Sequence, residues 1–313
     1  MNPTRDSSRG FALGLLGVVI FAMTLPMTRL AVGDVGAPQL PPAFVTAARA
    51  ALAGLLSIGY LRWAGAAWPA RELWRALAVC AAGTVLGFPL FLALALRDVD
   101  AMHAAVVTGV LPLGTAVAAA WYLHQRASRG FWLCALFGCA LVLAFAALQG
   151  RGRLSAADGL LLLAVASASI GYVGGAQVSL RQRAEETICW VLVLSLPLTL
   201  PAMLLTWPAD AATVRTSAWA GLAYVTLFSM WLGFFAWYRG LALGGVMRVS
   251  QVQLLQPFLA LLFAVPVLGE RLEATTILFA LAVMAVVLVG KRLPVAPVKI
   301  DPKIPATAGA ALP

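Results

Sequence analysis

Several runs of 17 or more residues in this chain hold no Asp, Glu or Lys, and nothing else in the sequence restricts the fold as much. As helices, such runs are long enough to cross a hydrocarbon core of about 30 Å. Within lipid a backbone has to satisfy its own hydrogen bonds, and a helix does so inside one segment. Composition agrees, since 62% of residues are hydrophobic and 11% charged, far from the range of soluble domains. The expected fold is an all-α integral membrane bundle of ten transmembrane helices. In the first half the spans are Phe11 to Val32, Pro42 to Leu61, Ala76 to Leu96, Ala101 to Leu123 and Phe131 to Leu148. The second half supplies Gly159 to Leu180, Thr187 to Trp207, Ala218 to Tyr238, Val249 to Leu268 and Ala274 to Gly290. Connections are short, so no soluble domain is inserted. Residues 1–10 form a cytoplasmic N-terminus, and 291–313, with five prolines, a disordered cytoplasmic tail. A basic stretch precedes the first run, as in a secretory leader. The run is long for that role and nine spans follow it, so it is read as the first helix.

A net charge of +10 raises the question of nucleic acid, but its placement answers to the membrane instead. With the N-terminus inside, 15 of the 22 Lys and Arg fall on the inner side, six on the outer side, and Arg49 lies within the second span. Both termini are therefore expected in the cytoplasm, with the chain multi-pass in a bacterial-type inner membrane. The expected partners are the lipid bilayer and a small-molecule substrate, with no nucleic acid; a homodimer is the oligomeric form considered. The four cysteines, Cys80, Cys134, Cys139 and Cys189, all sit in apolar runs and read as buried, reduced and structural. With only two His and no ligand spacing, no metal and no cofactor are expected. The same lack of nucleophile and carboxylate clusters argues against a membrane enzyme.

The chain also repeats. HAAVVTGVLPLGTAVAAAWYLHQRAS from His103 aligns with RVSQVQLLQPFLALLFAVPVLGERLE from Arg248 at an offset of 145, which pairs Pro112 with Pro257 and Thr108 with Gln253. Upstream, Leu-Gly-Phe at Leu86 pairs with Leu-Gly-Phe at Leu232 after a one-residue slip. Residues 11–148 and 159–290 thus read as two copies of a five-helix unit. Five is odd, so the copies are inserted with opposite orientations. Inverted repeats that rock against each other can expose a midplane site to each side in turn, which is the architecture of carriers.

LLQPFLALLFAVPVLGERL in the ninth span, WYRGLALGG before it, TLPMTRLAV in the first and AARAALAGLL in the second together resemble the EamA-domain exporters of the drug/metabolite transporter superfamily. The resemblance covers residues 10 to 291. It implies ten helices, a central cavity lined mainly by spans 1, 3, 4, 6, 8 and 9, and efflux of amino acids or related small metabolites. The first-half copy carries His124-Gln125 where that family usually has Gly-Glu, so Glu270 has no symmetric acidic counterpart.

Glutamines at membrane depth must face protein or water rather than lipid. Gln253 and Gln256, three apart, share a helix face and can both donate to and accept from a substrate; the alternative is interhelical glue. Pro257 removes the donor for the Gln253 carbonyl and Pro112 that for Thr108, so each proline exposes an acceptor or acts as a hinge. Pro26, flanked by Thr24 and Thr28, poses the same choice. Thr24, Thr108, Gln253 and Gln256 are the polar substrate-contact candidates; Phe88, Phe91, Tyr172, Trp231 and Phe235 are the aromatic ones. Trp231, Phe235 and Tyr238 also make a stripe that suits packing, and Gly171, Gly174 and Gly175 suit close helix approach.

No Asp or Glu lies well inside any span, which favours a neutral or zwitterionic substrate and facilitated diffusion over proton antiport. His103 and His124 sit near span ends and read as loop or interface residues. Arg49 is too deep for easy solvation and must snorkel or find a partner; the resemblance implies a structural position, and substrate-carboxylate binding is the alternative. Arg29 reads as snorkelling to the outer surface, and Glu270 and Arg271 as an end cap or loop ion pair. The function that emerges is export of small neutral or zwitterionic metabolites, most readily amino acids, with sugars, purines or a passive channel as alternatives.

Overall fold

A computed structural model of the chain describes residues 3–122, 128–149, 154–179, 181–244 and 250–292. Among these residues there is no β-strand, only one isolated bridge between Gly33 and Pro38. Seven helical stretches are long and apolar enough to cross a membrane. They are α1 (Ser8–Val32), α2 (Pro42–Trp63), α3 (Arg71–Ala95), α4 (Ala101–Trp121), α6 (Ala156–Ser179), α7 (Glu185–Leu205) and α8 (Thr216–Gly240). Three shorter apolar helices, α5 (Trp132–Leu148), α9 (Gln256–Leu268) and α10 (Ala274–Val289), stand at the remaining expected spans. Helical backbone continues beyond the apolar part over Arg129–Gln149 and Ala274–Arg292. His124, Gln125 and residues 293–313 of the expected tail lie outside the described residues.

The prolines leave their mark on the backbone. Helix α1 is interrupted at Met23, three residues before Pro26. In α4 one helix ends at Thr108 and the next begins at Leu111, just before Pro112. Ahead of α9, Ser250–Leu255 is a 3₁₀ turn rather than the expected α-helix, and the α-helix starts at Gln256 beside Pro257. Each break falls where the proline withholds an N–H from the carbonyl four residues back. Two wider segments depart from the α-helix as well: Ala81–Gly87 in α3 and Val225–Leu232 in α8 are π-helical. They occupy matching places, ending at Gly87 within the Leu86-Gly-Phe copy and at Leu232 of the second. Such insertions recur at functional sites.

Packing joins the halves of the chain: α1 lies on α8, α2 on α7, α3 and α4 on α6, α4 also on α9, and α5 on α10. In lipid there is no hydrophobic gain from pairing helices, so close contact has to come from small residues. A Cβ on Gly83 would stand 2.3 Å from the Ser167 carbonyl oxygen, and one on Gly171 would stand 2.7 Å from the Thr84 nitrogen. Helices α3 and α6 therefore touch backbone to backbone. The α1–α8 seam is built likewise, since a Cβ on Gly240 would sit 2.6 Å from the Gly14 nitrogen. Leucines 133, 136, 198, 204 and 205 face outward, as lipid contact requires.

Of the four cysteines, Cys80 and Cys189 are buried as expected, whereas Cys134 is half-buried and Cys139 exposed. An apolar run surrounds Cys139 in sequence, but its side of α5 faces lipid rather than protein. All four are free thiols.

Candidate functional site

The breaks in α4 and before α9 meet in the interior. Between them lies a cavity of about 300 Å³ whose walls include Thr108, Pro112, Tyr172, Gln253, Gln256 and Pro257. Leu25 from α1 and Met284 and Val287 from α10 complete its apolar side. In a 3₁₀ turn residues three apart nearly eclipse, which turns Gln253 toward the same space as Gln256. The Thr108 hydroxyl donates 2.7 Å to the Ala104 carbonyl, tying it to its own helix.

A second void of about 60 Å³ adjoins the first, sharing Leu25, Thr108, Leu111, Tyr172 and Gln256 with it. It is lined further by Thr24, Arg49, Thr84, Phe88, Ser229 and Phe234. The two π-helical segments supply Thr84 and Ser229, one hydroxyl from each half of the chain. Ser229 Oγ is 2.8 Å from Thr24 Oγ1 and accepts a hydrogen bond of 3.1 Å from Arg49 Nη2. Arg49 is 3% exposed, about 10 Å along α2 from its start at 1.5 Å per residue. Among the described residues its Nε and Nη1 find no acceptor and no carboxylate lies within ion-pair distance. A cation in mid-membrane costs about 2.5–3.5 kcal/mol by insertion measurements, so this arrangement is held against a penalty.

Thr24, Phe88, Thr108, Tyr172, Gln253 and Gln256 thus line one or other cavity, as do Pro112 and Pro257. The other candidates lie elsewhere. Phe91 packs against the apolar core, and Pro26 is buried in α1 just past its break. Trp231 and Phe235 turn toward α2, where their ring centroids lie 6.5 and 4.8 Å from that of Tyr60. The periodicity of that stripe was legible, but not which neighbour it faces. Sequence reasoning passed over Thr84 and Ser229; their positions just upstream of the two Leu-Gly-Phe copies were the available signal.

One end of the bundle carries the polar closures. Gly269, at φ +71°, ends α9 in the left-handed conformation that favours glycine. Glu270 then turns to a different helix: its two carboxylate oxygens accept 2.7 and 2.8 Å hydrogen bonds from the Ala101 and Met102 amides at the start of α4. The end cap expected at this position is thus made across helices. Burial pushes the Glu270 carboxyl above the usual carboxylate range, against the pull of those two amides. Nearby, His103 Nε2 is 2.7 Å from Asp158 Oδ1, joining α4 to α6. Arg29 does more than snorkel: it donates to the Leu96 carbonyl and lies 3.8 Å from Asp100 and 4.0 Å from Asp34.

The EamA-like transporter family matches residues 8–147 and again 155–290. The chain belongs to the EamA-like transporter family. A Bacillus subtilis (strain 168) protein described as the uncharacterized transporter YdeK is 41% identical over 292 residues, covering 93% of this chain and 99% of its own. A solved crystal structure aligns at a TM-score of 0.61 and 19% identity over 92% of this chain and 99% of its own, a likeness of fold alone. As an EamA-like protein the chain is a multi-pass membrane transporter. The family and relative are both described as transporters and not as enzymes.

Proposed function

We propose that this EamA-like transporter exports small neutral or zwitterionic metabolites, amino acids foremost, by alternating access of two inverted five-helix repeats. The observation that carries the reading is the interior cavity where the two proline-broken helices meet, with Gln253 and Gln256 on one wall and Thr108 and Tyr172 on the others. The twofold family match, the paired π-helical segments and the half-to-half helix pairing support the repeat. Inner-membrane placement with both ends cytoplasmic rests on the asymmetry of Lys and Arg.

Chemistry narrows the cargo. Among the described residues neither cavity has an acidic side chain on its wall, so a permanently cationic solute would lose its hydration without a counter-charge. Amides and hydroxyls donate and accept, which suits a zwitterion. Sugars or purines are the second reading, favoured by the two facing amides. Everted membrane vesicles containing the protein should take up labelled amino acids above vesicles lacking it. No uptake across amino acids, sugars and purines would overturn the transport reading.

A further inference from the structure

The smaller void has a charge in it that the protein leaves unsatisfied. We infer that Arg49 is the anchor for a substrate carboxylate, so that the cargo is an organic acid or a zwitterion bearing one. The inference rests on the transport reading above and adds the chemical group that the site selects.

Four observations converge on it. Arg49 is 3% exposed yet lines a void, so its guanidinium is withdrawn from both lipid and bulk water. Of its five N–H donors, one is used on Ser229, while Nε and Nη1 have no acceptor among the described residues. Its partner Ser229 is itself fixed, since Ser229 also bonds Thr24 2.8 Å away; the side chain is oriented rather than loose. The void of about 60 Å³ has room for a group the size of a carboxylate, given that one water occupies about 30 Å³ of liquid. Tyr172 and Gln256 stand on the walls of both this void and the larger cavity.

A guanidinium presents N–H groups in a planar fork that matches the two oxygens of a carboxylate. An anion placed there neutralises the buried charge and takes up its idle donors at once. The remainder of the cargo would then extend past Tyr172 into the larger cavity, where Thr108 and Gln253 offer neutral acceptors for an ammonium. A single arginine is a poor match for a phosphate ester, whose higher charge calls for several cations. A purely structural Arg49 would instead be expected to spend its donors on carbonyls or a carboxylate of the bundle.

The test uses the purified full chain in detergent micelles and follows its thermal unfolding with matched ligand pairs: L-phenylalanine against L-phenylalaninamide, and benzoate against benzamide. The carboxylates should stabilise saturably, and each amide should need about tenfold or more higher concentration for the same effect. Arg49→Gln should remove the preference, and Arg49→Lys, which keeps the charge without the fork, should weaken carboxylate binding about tenfold. If Arg49→Gln does not fold, the wild-type pairs and Arg49→Lys carry the test alone. Amides as effective as carboxylates, no stabilisation by any carboxylate, or full carboxylate affinity in either variant would overturn the inference. Vesicle uptake separates the two readings. Carboxylate binding through Arg49 with no solute moved refutes transport and leaves the anchor standing; transport of amines or sugars with carboxylates inert does the reverse.

Discussion

Gln256 touches both cavities and Gln253 only the larger, which ranks the two. A neutral hydrogen bond lost to a substrate is worth about 0.5–1.5 kcal/mol, or about 2- to 10-fold in apparent affinity. Gln256→Leu should therefore raise KM for uptake more than Gln253→Leu, with both variants still present in the membrane; equal, wild-type kinetics per molecule would assign the amides to helix packing. Glu270 gives a pH prediction. Because burial raises its folded-state pKa, its contribution to stability is full below the unfolded value of about 4.3 and is lost as pH rises through the folded value. Thermal scans should show the wild type losing ground to Glu270→Gln as pH climbs through that interval; a wild type that instead gains on the variant as pH climbs would mean that the two amides outweigh desolvation. Single residues were legible in the sequence where chemistry alone flags them, as with the membrane-depth glutamines. The Arg49–Ser229 contact was not, since it joins positions 180 apart and nothing in a linear sequence places them together.

Among the helices, seven of the expected spans were readable because an uncharged run of sufficient length has few alternatives in lipid, and the breaks were readable because proline lacks an N–H. The π-helical segments were not, having no composition of their own; only the recurrence of Leu-Gly-Phe marks them. The prolines are expected to matter for motion. Pro257→Ala restores a donor for the Gln253 carbonyl, so it should extend α9 backward and lower the rate of exchange several-fold while substrate binding persists. A measured kcat unchanged from wild type would leave the proline a purely static role. The α3–α6 seam makes the opposite kind of prediction. Gly83→Ala inserts a Cβ where only 2.3 Å separates it from the Ser167 carbonyl oxygen, an overpacking that typically costs about 1–3 kcal/mol. Thermal scanning in micelles should register that loss, and an unshifted midpoint would mean that the helices can part without penalty.

For the molecule as a whole, the pairing of each first-half helix with one from the second half suits the proposed rocking carrier, because the interior cavity is lined from both halves of the chain. A pore would conduct without such a seam having to move. The two behave differently when unlabelled substrate is loaded on the far side of the membrane: a carrier returns faster when loaded, whereas a pore is indifferent or slowed. The decisive measurement is counterflow of a labelled amino acid in proteoliposomes of the purified full chain, with Gln256→Leu alongside. Saturable uptake, accelerated by internal unlabelled amino acid and reduced in the variant, is the expected result. Flux no greater than in protein-free liposomes, or flux unaffected by internal substrate and by loss of Gln256, would contradict a carrier built around this cavity.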